Sequence, residues 1–404
     1  MDQQTVPDEA LSLRAILTLT VTRLIIDMTR RFVYPFVGPI ASQLNVAASS
    51  VQNVLALQAG AGISSPLFGT LAEHFGHKRV MMGCLVMMLV ASLIAIAAPS
   101  FTIFALVMMV WGLGKIIFNP TMQAYVGAII PYNRRGRALG IIELSWAGSL
   151  FVAAPLAGFF LERSGLQALF VVFAVLLVTA LLLMWRVLPR AKQPADHKPR
   201  SLNPLVGWRV LFRPHASAGR AALLYSLTLV AANELFFINY GLWMQDRFDL
   251  ELVALGTVTI VVAVAEMVGE FVVIGLADRL GKRRLALFGA LGAAVSYAVL
   301  PQLAYSLPVA LVGLFFMFLC VETAIVASFP LFTEVLPTAR TILMSANAGS
   351  HSLGRMVGAA LGGAIFAATG DFVLIGTIAL VVGAIAFLAM WRGITELSDA
   401  GATL

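Results

Sequence analysis

"LAEHFGHKR", residues 71 to 79, returns as "LADRLGKRR", residues 276 to 284. The copies share Leu, Ala, an acid, Gly and a basic end, at an offset of 205 residues. A second loop agrees: "PYNR" at 131 to 134 and "PTAR" at 337 to 340 lie 206 residues apart. Two separate loops with nearly the same period indicate a tandem duplication that occupies most of the 404-residue chain.

The duplicated material is oily. The chain is 60% hydrophobic and 12% charged, with mean hydropathy +0.92, far more apolar surface than one soluble core can hide. Runs such as "LQALFVVFAVLLVTALLLMW" (166–185) and "FVLIGTIALVVGAIAFLAMW" (372–391) are each long enough to cross a bilayer as a helix. Dividing the chain at turn and charge signals gives twelve spans: 14–39, 49–72, 80–98, 101–130, 138–161, 167–187, 220–244, 253–276, 285–303, 308–334, 341–369 and 372–393. The expected fold is therefore all-α and integral to the membrane, with two bundles of six spans. An even number per bundle gives both the same orientation, related by an axis along the membrane normal.

Basic residues fall into alternate loops. Lys78 and Arg79, Arg134, Arg135 and Arg137, eight residues from Arg186 to Arg220, Arg279 to Arg284, Arg340 and Arg392 lie on one side. Arg163 and Arg247 are the only ones on the other. By the positive-inside rule the basic side is cytoplasmic, with both termini, in a cell inner (plasma) membrane. The net charge of +7 follows from topology, and nothing resembles a nucleic-acid footprint. The expected division is an N-terminal bundle (1–187), a Pro-rich basic cytoplasmic linker (188–219) and a C-terminal bundle (220–404). The acidic start "MDQQTVPDEA" lacks the basic region of a secretory signal, so the first span is expected to stay. Cys84 and Cys320 sit in apolar runs without metal or redox spacing. No metal, cofactor or catalytic set is expected: there is no H-E-x-x-H and no G-x-S-x-G.

The span count, the repeat and the loop motifs resemble the major facilitator superfamily, in particular bacterial sugar-efflux and drug-proton antiporter-like members. The family's loop between the second and third spans, roughly G-x-L-A-D-R-x-G-R-R, is matched by "GTLAEHFGHKR" from Gly69 to Arg79, with Glu73 for the Asp. The second copy runs from Ile274 to Arg284, and "PYNRRGRALG" follows the fourth span. The resemblance implies a gating cluster that closes the cytoplasmic side: Gly69, Glu73, Gly76 and Arg79 in the first copy, Asp278, Arg279 and Gly281 in the second, with Arg135. "APLAG" (154–158) in span 5 is similar to the antiporters' G-P-x-x-G-G region and favours export.

Ionisable residues within a bilayer are expensive and mark functional paths. Spans 3, 6, 9 and 12 contain none away from their ends, whereas spans 1, 4, 7 and 10 each carry at least one near mid-depth: Asp27, Lys115, Glu234 and Glu322. These are the spans that line the cavity in the family. Arg23, Asp27, Arg30 and Tyr34 recur at i, i+4, i+7 and i+11, one face of a continuous helix, with Arg31 beside them. Lys115 continues to Asn119, and Asn347, His351 and Arg355 form a stripe on span 11. With Asn233, the expected substrate-binding residues are Arg23, Asp27, Arg30, Arg31, Tyr34, Lys115, Asn119, Asn233, Asn347 and Arg355.

A proton carrier must change charge near neutral pH, which burial and like charges favour and neighbouring cations oppose. Asp27, crowded by Arg23, Arg30 and Arg31, is expected to stay ionised. Glu322, Glu266 and Glu270 are the preferred carriers, with Glu234, Glu143 and His351 as further candidates. Away from the span ends, and so without Glu334, the first half holds four basic groups (Arg23, Arg30, Arg31, Lys115) and two acidic ones (Asp27, Glu143), and the second four acidic (Glu234, Glu266, Glu270, Glu322) and one basic (Arg355). The expectation is that an anionic or zwitterionic group of the substrate docks on the first half while the second handles protons. The function class is secondary transport by alternating access, with proton-coupled export of a small amphipathic or anionic compound as the leading reading. Proton-coupled uptake of a sugar or organic acid, lipid or lysolipid movement, and a non-transporting sensor are the alternatives. The expected partners are a small molecule, protons and the bilayer, and the chain is expected to be a monomer.

Overall fold

The computed structural model describes residues 9–68, 74–130, 132–189, 216–336 and 340–395. All regular elements among them are helical. Ten are long and apolar enough to cross a membrane. The first two spans are interrupted or highly charged. Span 1 is Glu9–Arg31 followed by the short helix Val37–Gln43, and span 2 is Ala48–Ala61 continued by a 3-10 stretch, Gly62–Phe68. Spans 3 to 6 are His77–Ala97, Phe101–Ile129, Tyr132–Glu143 with Ser145–Arg163, and Gly165–Val187. Spans 7 to 12 are Ser217–Phe248, Leu252–Val258 with Ile260–Leu280, Lys282–Leu303, Leu307–Val335, Arg340–Thr369 and Phe372–Gly393. Most of the linker, and the gating positions Gly69 and Glu73, lie outside the described residues.

The sequence repeat reappears as repeated geometry. Gly76 and Gly281 carry φ of 86° and 89° between the second and third spans of each half, and Gly165 and Gly370 carry 78° and 63° between the fifth and sixth. Asn45 and Asp249, both left-handed, turn the chain between the first and second. Gly76 and Gly281 supply a conformation that a β-carbon penalises, which explains why both loop motifs keep a glycine there. The basic ends of the motifs also have a structural use. Lys78 donates to the carbonyls of Trp185 (2.9 Å) and Leu188 (2.5 Å), and Arg283 donates to those of Ile394 (2.6 Å) and Trp391 (2.7 Å). Each cation satisfies the open C-terminal end of the sixth span of its own half.

Helix neighbours follow the same symmetry. Span 1 packs on 5 and 6, span 2 on 4, and span 3 on 4 and 6; correspondingly span 7 packs on 11 and 12, span 8 on 10, and span 9 on 10 and 12. The result is two six-helix bundles. Between them, span 2 packs on span 11 and span 5 on span 8. Gly354, Gly358 and Gly362 let span 11 lie on the backbone of span 7, where an added Cβ would come 2.5 to 2.7 Å from the carbonyls of Leu227, Ala231 and Leu235.

The bundles meet tightly at the end opposite the basic loops. A Cβ on Gly241 would fall 2.1 Å from the Pro35 carbonyl, one on Gly158 2.5 Å from that of Leu252, and one on Gly256 2.4 Å from that of Ala154. Glu162 adds a hydrogen bond from the Val253 amide (2.8 Å), and Gln52 donates to Ile238 (3.2 Å) and Asn239 (2.8 Å). Outside this closure lies an open depression of about 590 Å³ lined by Gly38, Gln43, Leu242 and Gln245.

One expectation is corrected here. Span 1 is not a continuous helix to residue 39: it ends at Arg31, and residues 32–36 form turns. Pro35 has no N–H to bond back to Arg31, and it disfavours the helical conformation at Tyr34. Tyr34 therefore does not continue the i+4 stripe of Arg23, Asp27 and Arg30.

Candidate functional site

The charged end of span 1 enters the space between the bundles, and nearly every charge on it finds a carboxylate. Arg23 pairs with Glu143 (2.7 Å) and, through Nε, with Asp27 (3.6 Å). Asp27, fully buried, also holds Lys115 at 2.6 Å. This inner group belongs wholly to the first half, and its outermost member, Glu143, has a half-exposed side chain.

The next two pairs cross between the halves. Arg30 donates to the Tyr34 hydroxyl (2.6 Å) and to Glu234 (3.3 Å), and the Tyr34 hydroxyl donates to Glu234 as well. Arg31 places Nη2 2.6 and 2.7 Å from the two oxygens of Glu266 and donates from Nη1 to the carbonyl of Trp146 (2.7 Å). Arg31 is 2% exposed, so this is a desolvated pair satisfied on both sides. The break of span 1 at Pro35 places Tyr34 between Arg30 and Glu234, a position the straight helical stripe does not provide. A discontinuous helix at a binding layer is a recurrent device, because irregular backbone at membrane depth is tolerated where protein surrounds it.

Trp146 is the centre of this layer. Its ring lies 4.3 Å from the Arg31 guanidinium, 4.6 Å from Lys115 Nζ and 5.0 Å from the Arg355 guanidinium. Tyr34 stacks on Phe237 (4.6 Å), which meets Phe318 edge-on (5.0 Å). These aromatic rings, with Arg30, Arg31, Arg355, Asn233, Glu234 and Glu266, enclose a residual cavity of about 30 Å³.

Glu270 and Glu322 adjoin this layer without joining it. Both are buried, at 8% and 7% exposure, and among the described residues no ion pair or hydrogen bond reaches either carboxylate. Glu322 packs on Gly269, where an added Cβ would come 2.9 Å from its own, so spans 8 and 10 bring Glu266, Glu270 and Glu322 together.

Several expectations change. Asp27 is held by Arg23 and Lys115, whereas Arg30 and Arg31 turn away to the second half. Glu266, a preferred proton carrier on spacing alone, is engaged by Arg31, and a proton on it must compete with two short charged hydrogen bonds. Glu143 likewise carries the Arg23 pair, and Glu234 carries Arg30 and Tyr34. The first-half cations expected to meet the substrate, Arg23, Arg30, Arg31 and Lys115, are each paired with a carboxylate in this structure. Asn347 is turned to Ser226 (2.5 Å) in the packing of spans 7 and 11, and His351 rests on the ring of Phe329 (5.8 Å). Asn119 lies outside the cavity lining. Of the gating positions, Asp278, Arg279 and Arg79 are exposed, and none of the described ion pairs includes them. Arg135 lies in the helix Tyr132–Glu143, with its side chain outside the described residues.

Repeated loops, twelve spans and a charged central layer agree with the comparison that decides the family. A profile of the Major Facilitator Superfamily matches residues 19–275 and 223–401. The chain belongs to this superfamily. Among superfamily relatives, an uncharacterized MFS-type transporter of Bacillus subtilis (strain 168), YceJ, is 24% identical over 322 residues, covering 79% of this chain and 80% of its own. The cis,cis-muconate transport protein of Acinetobacter baylyi is 26% identical over 355 residues, covering 82% and 80%. In fold, the structure of a point mutant of the nucleoside transporter NupG superposes with a TM-score of 0.73 at 12% identity, covering 95% of this chain and all of its own.

Sequence reasoning passed over Trp146, Phe237 and Phe318. A signal existed for the first: Trp favours membrane interfaces, and Trp146 lies well inside span 5 near Glu143.

Proposed function

We propose that the protein is a secondary transporter working by alternating access, which exports a small amphipathic organic anion in exchange for protons. One observation carries the reading. At mid-depth the bundles are joined by Arg30–Glu234 and Arg31–Glu266, while beside these pairs Glu270 and Glu322 are buried without a cation among the described residues. Intramembrane charge of this kind marks a transport path, and carboxyls without a partner are the ones free to exchange a proton.

Rocking displaces groups at mid-depth least, so the two inter-bundle pairs act as the pivot. Opening the far end requires Pro35 to leave Gly241 and span 5 to leave span 8. The gating cluster of Glu73, Arg135 and Asp278 then assembles at the basic-loop end, which the positive-inside rule makes cytoplasmic. Export is favoured by "APLAG", whose Gly158 provides the close approach to span 8. An organic acid as cargo is consistent with the muconate-transporting relative.

The test is a pH-sensitive dye trapped in proteoliposomes and a panel of organic mono- and dicarboxylates, cis,cis-muconate included. At least one acid moves protons above the protein-free background, and Glu322→Gln abolishes that movement. A panel with no proton movement, or an undiminished signal in Glu322→Gln, overturns the reading.

A further inference from the structure

The mid-depth cavity has an unbalanced wall. Three guanidiniums line it, those of Arg30, Arg31 and Arg355, against two carboxylates, Glu234 and Glu266. Arg30 and Arg31 take one carboxylate each. Arg355 has no carboxylate within ion-pair distance among the described residues, and its recorded contact is with the Trp146 ring at 5.0 Å. That ring already faces Arg31 and Lys115. Glu270 and Glu322, the nearest carboxyls without partners, are not in the lining. Arg355 is partly exposed and feels Glu234 and Glu266 only beyond ion-pair distance, each of which already pairs with another arginine, so the wall carries one more positive charge than its carboxylates pair. The same wall carries a second unanswered group: the Asn233 side-chain oxygen is buried with no hydrogen-bond partner among the described residues.

From this charge count we infer that Arg355 is the anchor for the carboxylate of an organic monoanion, with Asn233 bonding a polar group close to it. The remaining walls, Tyr34, Phe237 and Phe318, suit a flat apolar body. At about 30 Å³ the cavity admits a head group or water, so the body enters as the bundles part toward the basic-loop end. This deepens the transport reading and rests on it for the role of the site, but binding to Arg355 is measurable without any gradient.

Benzoate is the probe, with neutral benzamide as its match in shape and sodium chloride as its match in ionic strength. Thermal unfolding of the purified full-length protein in detergent reads binding as a ligand-dependent rise in Tm. Benzoate raises Tm in a saturable manner, whereas benzamide and chloride do not. Arg355→Gln weakens the apparent affinity at least tenfold, and Arg355→Lys, which keeps the charge, retains part of it and guards against a folding defect in the first variant. Four results overturn the assignment: no response to benzoate, an equal response to benzamide, an equal response to chloride, or an unchanged benzoate affinity in Arg355→Gln. If Arg355 controls benzoate binding while Glu322→Gln leaves proton movement intact, the anion site stands and the proton assignment fails. The reverse pair of results separates them the other way.

Discussion

Glu266 and Glu270 stand one turn apart on span 8, yet among the described residues only Glu266 has a cation. Arg31 reaches it from the other bundle with two bonds of 2.6 and 2.7 Å, whereas no ion pair reaches Glu270 among the described residues, and Glu322 packs on the adjacent Gly269. The same helix thus supplies one carboxylate that joins the bundles and one that the proposed function assigns to proton exchange. The difference teaches that burial alone does not assign a role to an intramembrane acid. What decides it is whether a cation from a neighbouring span has already been committed to it.

The comparison breaks most visibly if the clamp is cut. Arg31→Ala leaves Glu266 buried without its ion-pair partner, and losing one partner of a buried pair costs roughly 3–5 kcal/mol. Thermal unfolding in detergent should show a large drop in Tm for Arg31→Ala and a clear one for Glu266→Gln, which strands Arg31 instead. Glu270→Gln, an isosteric change at a group without partners, should stay within about 1 kcal/mol of the parent. Equal losses at Glu266 and Glu270 would erase the distinction.

The smallest effect sharpens the comparison by exclusion. His351 lies against Phe329, and the described residues make no hydrogen bond to it. His351→Phe should change stability by less than about 0.5 kcal/mol and leave proton movement in proteoliposomes as it was. A loss of proton movement would return His351 to the list of carriers.

Much of this was legible in the sequence, and the limits have physical causes. Hydropathy and the 205-residue repeat specify the spans and their symmetry, and the glycines of the repeated loops reappear with nearly equal positive φ. The intramembrane charges were legible too, because the cost of burying charge restricts it to protein-lined space: Asp27, Lys115 and Glu234 are ion-paired between the spans, and Glu322 adjoins them. Their partners were not. Spacing along one helix crowds Asp27 with Arg30 and Arg31, but the pairs are formed between spans, and side chains four residues apart on span 1 end up facing different bundles. The sequence likewise contains Pro35 in plain view, and a hydrophobic window smooths over the break it makes after Arg31. Trp146 went unread because an aromatic in an apolar run adds nothing to hydropathy, and its meaning comes from three cations brought by spans 1, 4 and 11.

On the proposed function, the exchangeable protons belong to Glu270 and Glu322. Infrared difference spectroscopy of the protein in lipid, titrated through neutral pH, observes the carboxylic C=O stretch of a protonated acid directly and needs no substrate. The account predicts a titrating carboxylic band that diminishes in Glu270→Gln and in Glu322→Gln and vanishes in the double variant. A band that survives the double variant, and disappears instead in Glu234→Gln, would contradict it.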